Sequence, residues 1–147
     1  MKQIQGFTVV ELMITLVIVG ILTAAGIPAF LNMIENNTIT TTSNGILNGI
    51  LLARSEAVLN DVDVTFTPSA SGWQVTNPTG DVIQSETIDN SNIAIAGPTI
   101  VYTPRGRKAN NTAQTISISY KNSLKSRVCL SLTGRPFIVL AEDGTCP

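Results

Sequence analysis

Gly6-Phe7-Thr8-Val9-Val10-Glu11-Leu12-Met13-Ile14-Thr15-Leu16-Val17-Ile18-Val19-Gly20 opens an apolar segment that runs on through Pro28 to Ile34. One carboxylate, Glu11, sits at its head, and no residue from Leu12 through Ile34 is charged. As helix that uncharged run extends about 35 Å, enough to cross a bilayer core of about 30 Å. A carboxylate at the edge of hydrocarbon costs about 2 kcal/mol or more unless a partner neutralises it. The segment holds no cation to pair with, so Glu11 points to a partner from elsewhere. A carboxylate snorkelling to the membrane interface is the alternative.

The order of signals around this segment is inverted relative to a secretory signal, which places a positive region first and a small-residue cleavage site last. Here Lys2 is the only leader charge, Gly6 precedes the apolar run, and no Ala-x-Ala pattern closes it. The segment therefore reads as retained in the mature protein. Lys2 places its short end in the cytoplasm and the bulk of the chain outside. The two cysteines, Cys129 and Cys146, form an even pair in a chain whose start points to export. They read as one disulfide in an oxidising space, worth about 3 kcal/mol, against the alternative of two unrelated buried thiols.

The 147 residues suffice for one modest domain plus an appendage, and the formal net charge of -1 implies no bulk polyelectrolyte behaviour. The charge is unevenly distributed, however. Between Ser55 and Thr103 lie Glu56, Asp61, Asp63, Asp81, Glu86 and Asp89 with no base. From Pro104 onward seven bases, Arg105, Arg107, Lys108, Lys121, Lys125, Arg127 and Arg135, face only Glu142 and Asp143. The folded head is expected to be electrically polar.

Gly20 and Pro28 weaken the apolar helix, the proline by removing a donor and the glycine by about 1 kcal/mol. Residues 30–60 continue as an amphipathic helix: Ile46, Leu47, Ile50, Ala53, Ala57 and Val58 recur at three- and four-residue spacing, with Arg54 and Glu56 on the polar side. The Asn- and Thr-rich stretch 35–45 holds helix poorly and reads as a thin, exposed stalk. After Asn60-Asp61 the pattern changes to short β-branched runs. Candidate strands are 62–67, 73–76, 82–85, 93–95, 99–103, 115–120, 127–132 and 137–140. Turn signals at Pro68, Gly72, Pro78-Thr-Gly80, Gly97-Pro98, Pro104-Arg-Gly106 and Gly134 separate them. Ile116, Ile118 and Tyr120 alternate with Ser and Thr, as in a sheet with one buried face. The expected fold class is α+β, a long N-terminal helix packed on a β-rich head of antiparallel strands. The expected divisions are 1–6 as leader, 7–34 as transmembrane segment and 35–147 as head.

Gly6-Phe7-Thr8-Val9-Val10-Glu11-Leu12-Met13, with Gly20 and Pro28 beyond, resembles the type III signal of type IV pilins and pseudopilins. The resemblance implies a pilin fold, and a prepilin peptidase that cuts between Gly6 and Phe7 and methylates the new Phe7 amine. It also supplies a partner for Glu11: the amine of a neighbouring subunit at the same membrane depth, an assembly contact favoured at low dielectric. The stretch around Gly20 and Pro28 extends or melts within filaments of this family. A second set of motifs, Leu52-Ala53-Arg54-Ser55-Glu56-Ala57, Gly72-Trp73, Val101-Tyr-Thr-Pro-Arg-Gly-Arg107 and Thr133-Gly134-Arg135, is similar to the GspH/FimT group. That group holds minor pilins of type IV pili and H-type minor pseudopilins of type II secretion. The implied partners are other major and minor pilins or pseudopilins, the peptidase, the inner-membrane assembly platform, and membrane lipid before assembly. The implied location is the inner membrane as a single pass with the head in the periplasm, then a pilus or pseudopilus.

Enzyme chemistry fails on inventory. There is no histidine, no phosphate-binding glycine loop, and no set of four ligands for zinc. Asp61 and Asp63 sit at a helix end and a strand start, where solvated turn acids are the better account. No cofactor and no metal are expected. If Arg105, Arg107, Lys108, Lys121, Lys125, Arg127 and Arg135 converge on one face, they form a phosphate-tracking patch. Some pilins of the group capture DNA through a C-terminal Gly-Arg-x-Arg element. Here that stretch is Gly134-Arg135-Pro136-Phe137, without the second arginine. The competing account has the basic and acidic faces docking against neighbouring subunits, where complementary fields set partner and register.

Overall fold

The computed structural model describes residues 7–146. Its first element is a single helix, α1, Val9–Asn60, which continues through both Gly20 and Pro28. By internal contacts the chain divides into two units, one reaching to Asn37 and the other beginning at Thr38. In the first unit the apolar side chains from Val9 to Ile34 lie exposed along the helix. In the second, the remainder of α1 packs on the strands and buries Ile39, Thr42, Ser43, Ile46, Gly49, Ile50, Ala53 and Ala57.

Stretch 35–45 is therefore not the exposed stalk its composition suggests. Ile39 supplies an apolar anchor, and the polar side chains beside it find partners inside the head. Ser43 Oγ lies 2.8 Å from the Ile39 carbonyl and 3.0 Å from Ser126 Oγ, and both serines are buried. Weak helix propensity costs only tenths of a kcal/mol per residue, which tertiary burial overrides.

Eight strands follow: β1 Val64–Ser69, β2 Gly72–Thr76, β3 Val82–Thr87, β4 Ile93–Ala96, β5 Ile100–Tyr102, β6 Gln114–Tyr120, β7 Ser123–Leu130 and β8 Pro136–Leu140. They form two four-stranded antiparallel sheets, ordered β3-β2-β1-β5 and β4-β6-β7-β8. Alternation places Val64 and Phe66, Trp73 and Val75, Ile93 and Ile95, Ile116 and Ile118, and Val128 and Leu130 in one core with the helix face. The buried α1 positions 49, 53 and 57 are all Gly or Ala. A Cβ on Gly49 would stand 2.8 Å from both the Phe66 and Trp73 rings, which stack with centroids 5.6 Å apart. The small residue lets the aromatic pair lie against the helix backbone.

Every strand differs from the sequence reading by one to four residues at one end or both, and two of the shifts have a clear local reason. Pro68 lies within β1, opposite Trp73, rather than separating strands. Its missing N–H costs nothing, because β5 pairs only with Val64–Phe66 and leaves that side of Pro68 without a neighbour. β7 starts at Ser123 because Lys121 and Asn122 both take positive φ (48° and 63°), a two-residue turn whose twist suits the hairpin. Leu132 falls outside β7 and is exposed. The helix ends where expected, at Asn60. Asp61 takes the left-handed conformation (φ 55°), and Val62 N–H donates to the Ala57 carbonyl at 3.3 Å, the bond of a Schellman cap.

Candidate functional site

The start of α1 is built by four residues. Thr8 caps the helix, and Glu11 is the third residue after it. Thr8 N–H and Oγ1 both donate to Glu11 Oε2, at 2.9 and 3.0 Å, while Glu11 N–H donates back to Thr8 Oγ1 at 3.2 Å. This is a capping box, which satisfies donors that no helical carbonyl can reach. The carboxylate also sits at the positive end of the helix dipole. Thr8-x-x-Glu11 ahead of an apolar run is a legible signal that reading Glu11 only for a cation passes over. Oε1 accepts no bond from any described residue, so half the carboxylate stays available. Phe7 is exposed beside it, and Gly6 lies outside the described residues.

Further along, Gly20 has open space where a Cβ would stand. Thr23 Oγ1 reaches back to the Val19 carbonyl and, at 3.2 Å, to that of Gly20. Gly26 forms a notch between Leu22, Ile27 and Phe30.

In the head, the two GspH/FimT-like stretches around 101–107 and 133–135 meet at one residue. Tyr102 is buried, and its hydroxyl donates to the Gly134 carbonyl at 2.5 Å. Gly134 takes φ 84°, and a Cβ there would lie 2.9 Å from the Tyr102 ring and 3.1 Å from Lys108 Cγ. Burial pushes the Tyr102 phenol up to about 12, with the Arg54 charge opposing. The segment after β5 folds back on it: Thr103 N–H donates to the Arg107 carbonyl (2.8 Å) and Ala109 N–H to the Val101 carbonyl (2.9 Å). This leaves Arg105 and Arg107 exposed on a held loop, with exposed Arg135 following Gly134.

Lys108 corrects the expected basic surface. It is 4 % exposed and bridges Tyr102, its ammonium donates to the Thr112 carbonyl, and burial lowers its pKa. The remaining bases do not converge on one face either. Lys121 occupies the β6–β7 turn, its ammonium 5.4 Å from the Tyr120 ring centre, and Arg135 the β7–β8 turn at the other end of β7. Eight residues of strand put about 26 Å between those ends. Arg127 donates to the Gly144 carbonyl, and Lys125 is half-buried. Arg105, Arg107, Lys121 and Arg135 sit in loops that follow different strands, β5, β6 and β7, which disperses them. Cys129 and Cys146 are joined in a disulfide, Cα atoms 5.6 Å apart, that fixes the C-terminal segment to β7. Among the described residues no group of His, Cys, Asp and Glu is arranged to hold a metal ion.

The family described as type II transport protein GspH matches residues 42–134, from the buried part of α1 to the Tyr102–Gly134 junction. The chain belongs to the GspH family. The prokaryotic N-terminal methylation motif also matches this GspH-family chain, over residues 1–27. Among solved structures it is similar to the type IV minor pilin FimU of Pseudomonas aeruginosa strain PAO1. In one crystal form the TM-score is 0.61 at 15 % identity, covering 77 % of this chain and 95 % of that one. In a second form the TM-score is 0.56, also at 15 % identity, covering 74 % and 96 %. At that identity the likeness establishes the pilin fold alone. No curated protein matches the sequence.

Proposed function

We propose that this GspH-family chain is a minor pilin, a structural subunit that primes assembly of a type IV pilus or sits at its tip. Prepilin peptidase cuts between Gly6 and Phe7 and methylates the Phe7 amine. The helix then holds the protein in the inner membrane, head in the periplasm, until the assembly platform passes it into a filament of other pilins. One observation carries this reading: the apolar side chains of residues 9–34 lie exposed behind a helix start that presents Glu11. Such a surface suits lipid first and neighbouring helices afterwards. Glu11, with Oε1 still available, suits a neighbouring subunit's amine; Gly20 and Pro28 give the helix room to yield as subunits pack.

The test is Glu11→Ala. The variant should insert into the membrane normally and fall at least tenfold in sheared filaments. Recovery at wild-type amounts ends the docking role for Glu11.

A second reading is an H-type minor pseudopilin of a type II secretion system, which the family description favours. A deletion strain separates the two, since loss of twitching marks a pilus and loss of exoprotein release a secretion system. DNA capture has less support: Arg105, Arg107 and Arg135 lack a continuous basic track to Lys121, Lys125 and Arg127, and Lys108 is buried.

A further inference from the structure

The two sheets present four edges, and they are closed unequally. β5 is covered by its own returning loop, through the Ala109-to-Val101 bond and the Tyr102–Lys108 bridge. β4 is met by the β1–β2 turn, where Ile95 N–H donates to the Ala70 carbonyl at 3.2 Å. β8 opens with Pro136, which has no N–H to offer. β3 has no such protection. All its residues except Glu86 are exposed, Val82 by 55 %.

The Ile88 N–H to Ser71 carbonyl bond (2.8 Å) fixes the phase of the β2–β3 ladder. By antiparallel alternation Glu86 then points its backbone groups at β2, while Ser85 and Thr87 point theirs outward. Among the described residues nothing bonds those outward groups. Protein edges are normally blunted by lysine, proline or a bulge. β3 has neither lysine nor proline, and its one irregularity, opposite Val75 and Thr76, leaves Ser85 to Thr87 regular.

The charge around this edge says what covers it. Asp81 precedes the strand, Asp89 follows it, both exposed, and no base occurs between Ser55 and Thr103. Two copies meeting edge to edge would set those acids against each other, an arrangement that is destabilising. We infer that β3 is the docking edge for an extended, basic strand of a different filament subunit, which joins β3-β2-β1-β5 as a fifth strand. Val82 and Ile83 supply its apolar contact, and lysine or arginine on the incoming strand meets Asp81 and Asp89. Backbone bonds provide the affinity and the flanking charges the choice of partner. This inference rests on the filament reading above.

The experiment uses the full chain in its own host, scored in sheared filaments. Ser85→Pro removes the outward N–H, Val82→Lys sets a base against the incoming basic strand at a site too exposed to disturb the fold, and Ser85→Ala is the control. Ser85→Pro and Val82→Lys should each fall at least fivefold while Ser85→Ala matches wild type. A benzophenone side chain at Val82 should crosslink to a different pilin-type subunit, at a peptide containing lysine or arginine. If the proline variant fails to accumulate in membranes, Val82→Lys alone decides. Wild-type incorporation of Val82→Lys, or crosslinking only to a second copy of this chain, overturns the inference. Absence of the wild-type protein itself from filaments overturns the filament reading instead.

Discussion

Glu11 has two claims on its carboxylate. Oε2 already takes both Thr8 donors, and under the proposed processing an amine arrives one residue before Thr8 on each mature subunit. The two roles separate by substitution. Thr8→Ala removes the cap, costs the helix start about 1 kcal/mol, and should lower filament incorporation only severalfold. Glu11→Ala should nearly abolish it. Equal losses would assign the residue to helix capping rather than to docking. Asp61 is a second informative position. A non-glycine residue in the left-handed region costs about 1 kcal/mol, so Asp61→Gly should raise thermal stability by about that amount, read as a rise in the unfolding midpoint of several degrees. At Tyr102 the neutral phenol is the form the fold favours, since its pKa is pushed up to about 12 from 10. The unfolded chain releases that proton first, so this contribution is fully present below pH 10 and is lost as pH rises from 10 towards 12. Tyr102→Phe should lose about 1 kcal/mol with the Gly134 bond and show a shallower alkaline decline in denaturant midpoint.

At the scale of elements, α1 carries two kinds of glycine that the sequence alone does not distinguish. Gly20 faces open space, whereas Gly49 touches Phe66 and Trp73. Gly49→Val should therefore destabilise the head by about 2 kcal/mol through overpacking, seen as an earlier thermal transition. Gly20→Ala meets no steric cost in this chain. Periodicity made the helix legible to Asn60, and β-branched runs between turn signals located all eight strands, because both signals are carried by local side-chain pattern. The Lys121-Asn122 turn was missed because lysine is not a residue that usually signals positive φ. The burial of Ser43 is not legible in sequence because its partner is Ser126, 83 residues away. The candidate site divides the same way. Glu11 stands out in sequence as a lone charge, whereas the burial of Lys108 follows from Tyr102 and Gly134, which only the folded chain brings together.

For the whole molecule, the pilin fold supplies a membrane-suited helix and a head whose charges are distributed rather than gathered. The basic residues end up at both ends of β7, and the acids leave the β3 edge negative, so different sides of the head are suited to different neighbours. The Cys129–Cys146 bond ties the last residues into that head. Replacing both cysteines with serine should cost about 3 kcal/mol, measurable as a lower denaturant midpoint under oxidising conditions. Sheet order also carries a kinetic consequence. β6, β7 and β8 are joined by short turns and pair in sequence order, so that meander can form as soon as its own residues are free. The other sheet closes only when Ile100–Tyr102 returns to Val64–Phe66, across an intervening strand that belongs elsewhere. Loop closure of that length is slow relative to a hairpin. Amides of β6 and β7 should gain exchange protection before those of β5, and a newly made head spends its most vulnerable interval with the β1 side unsealed.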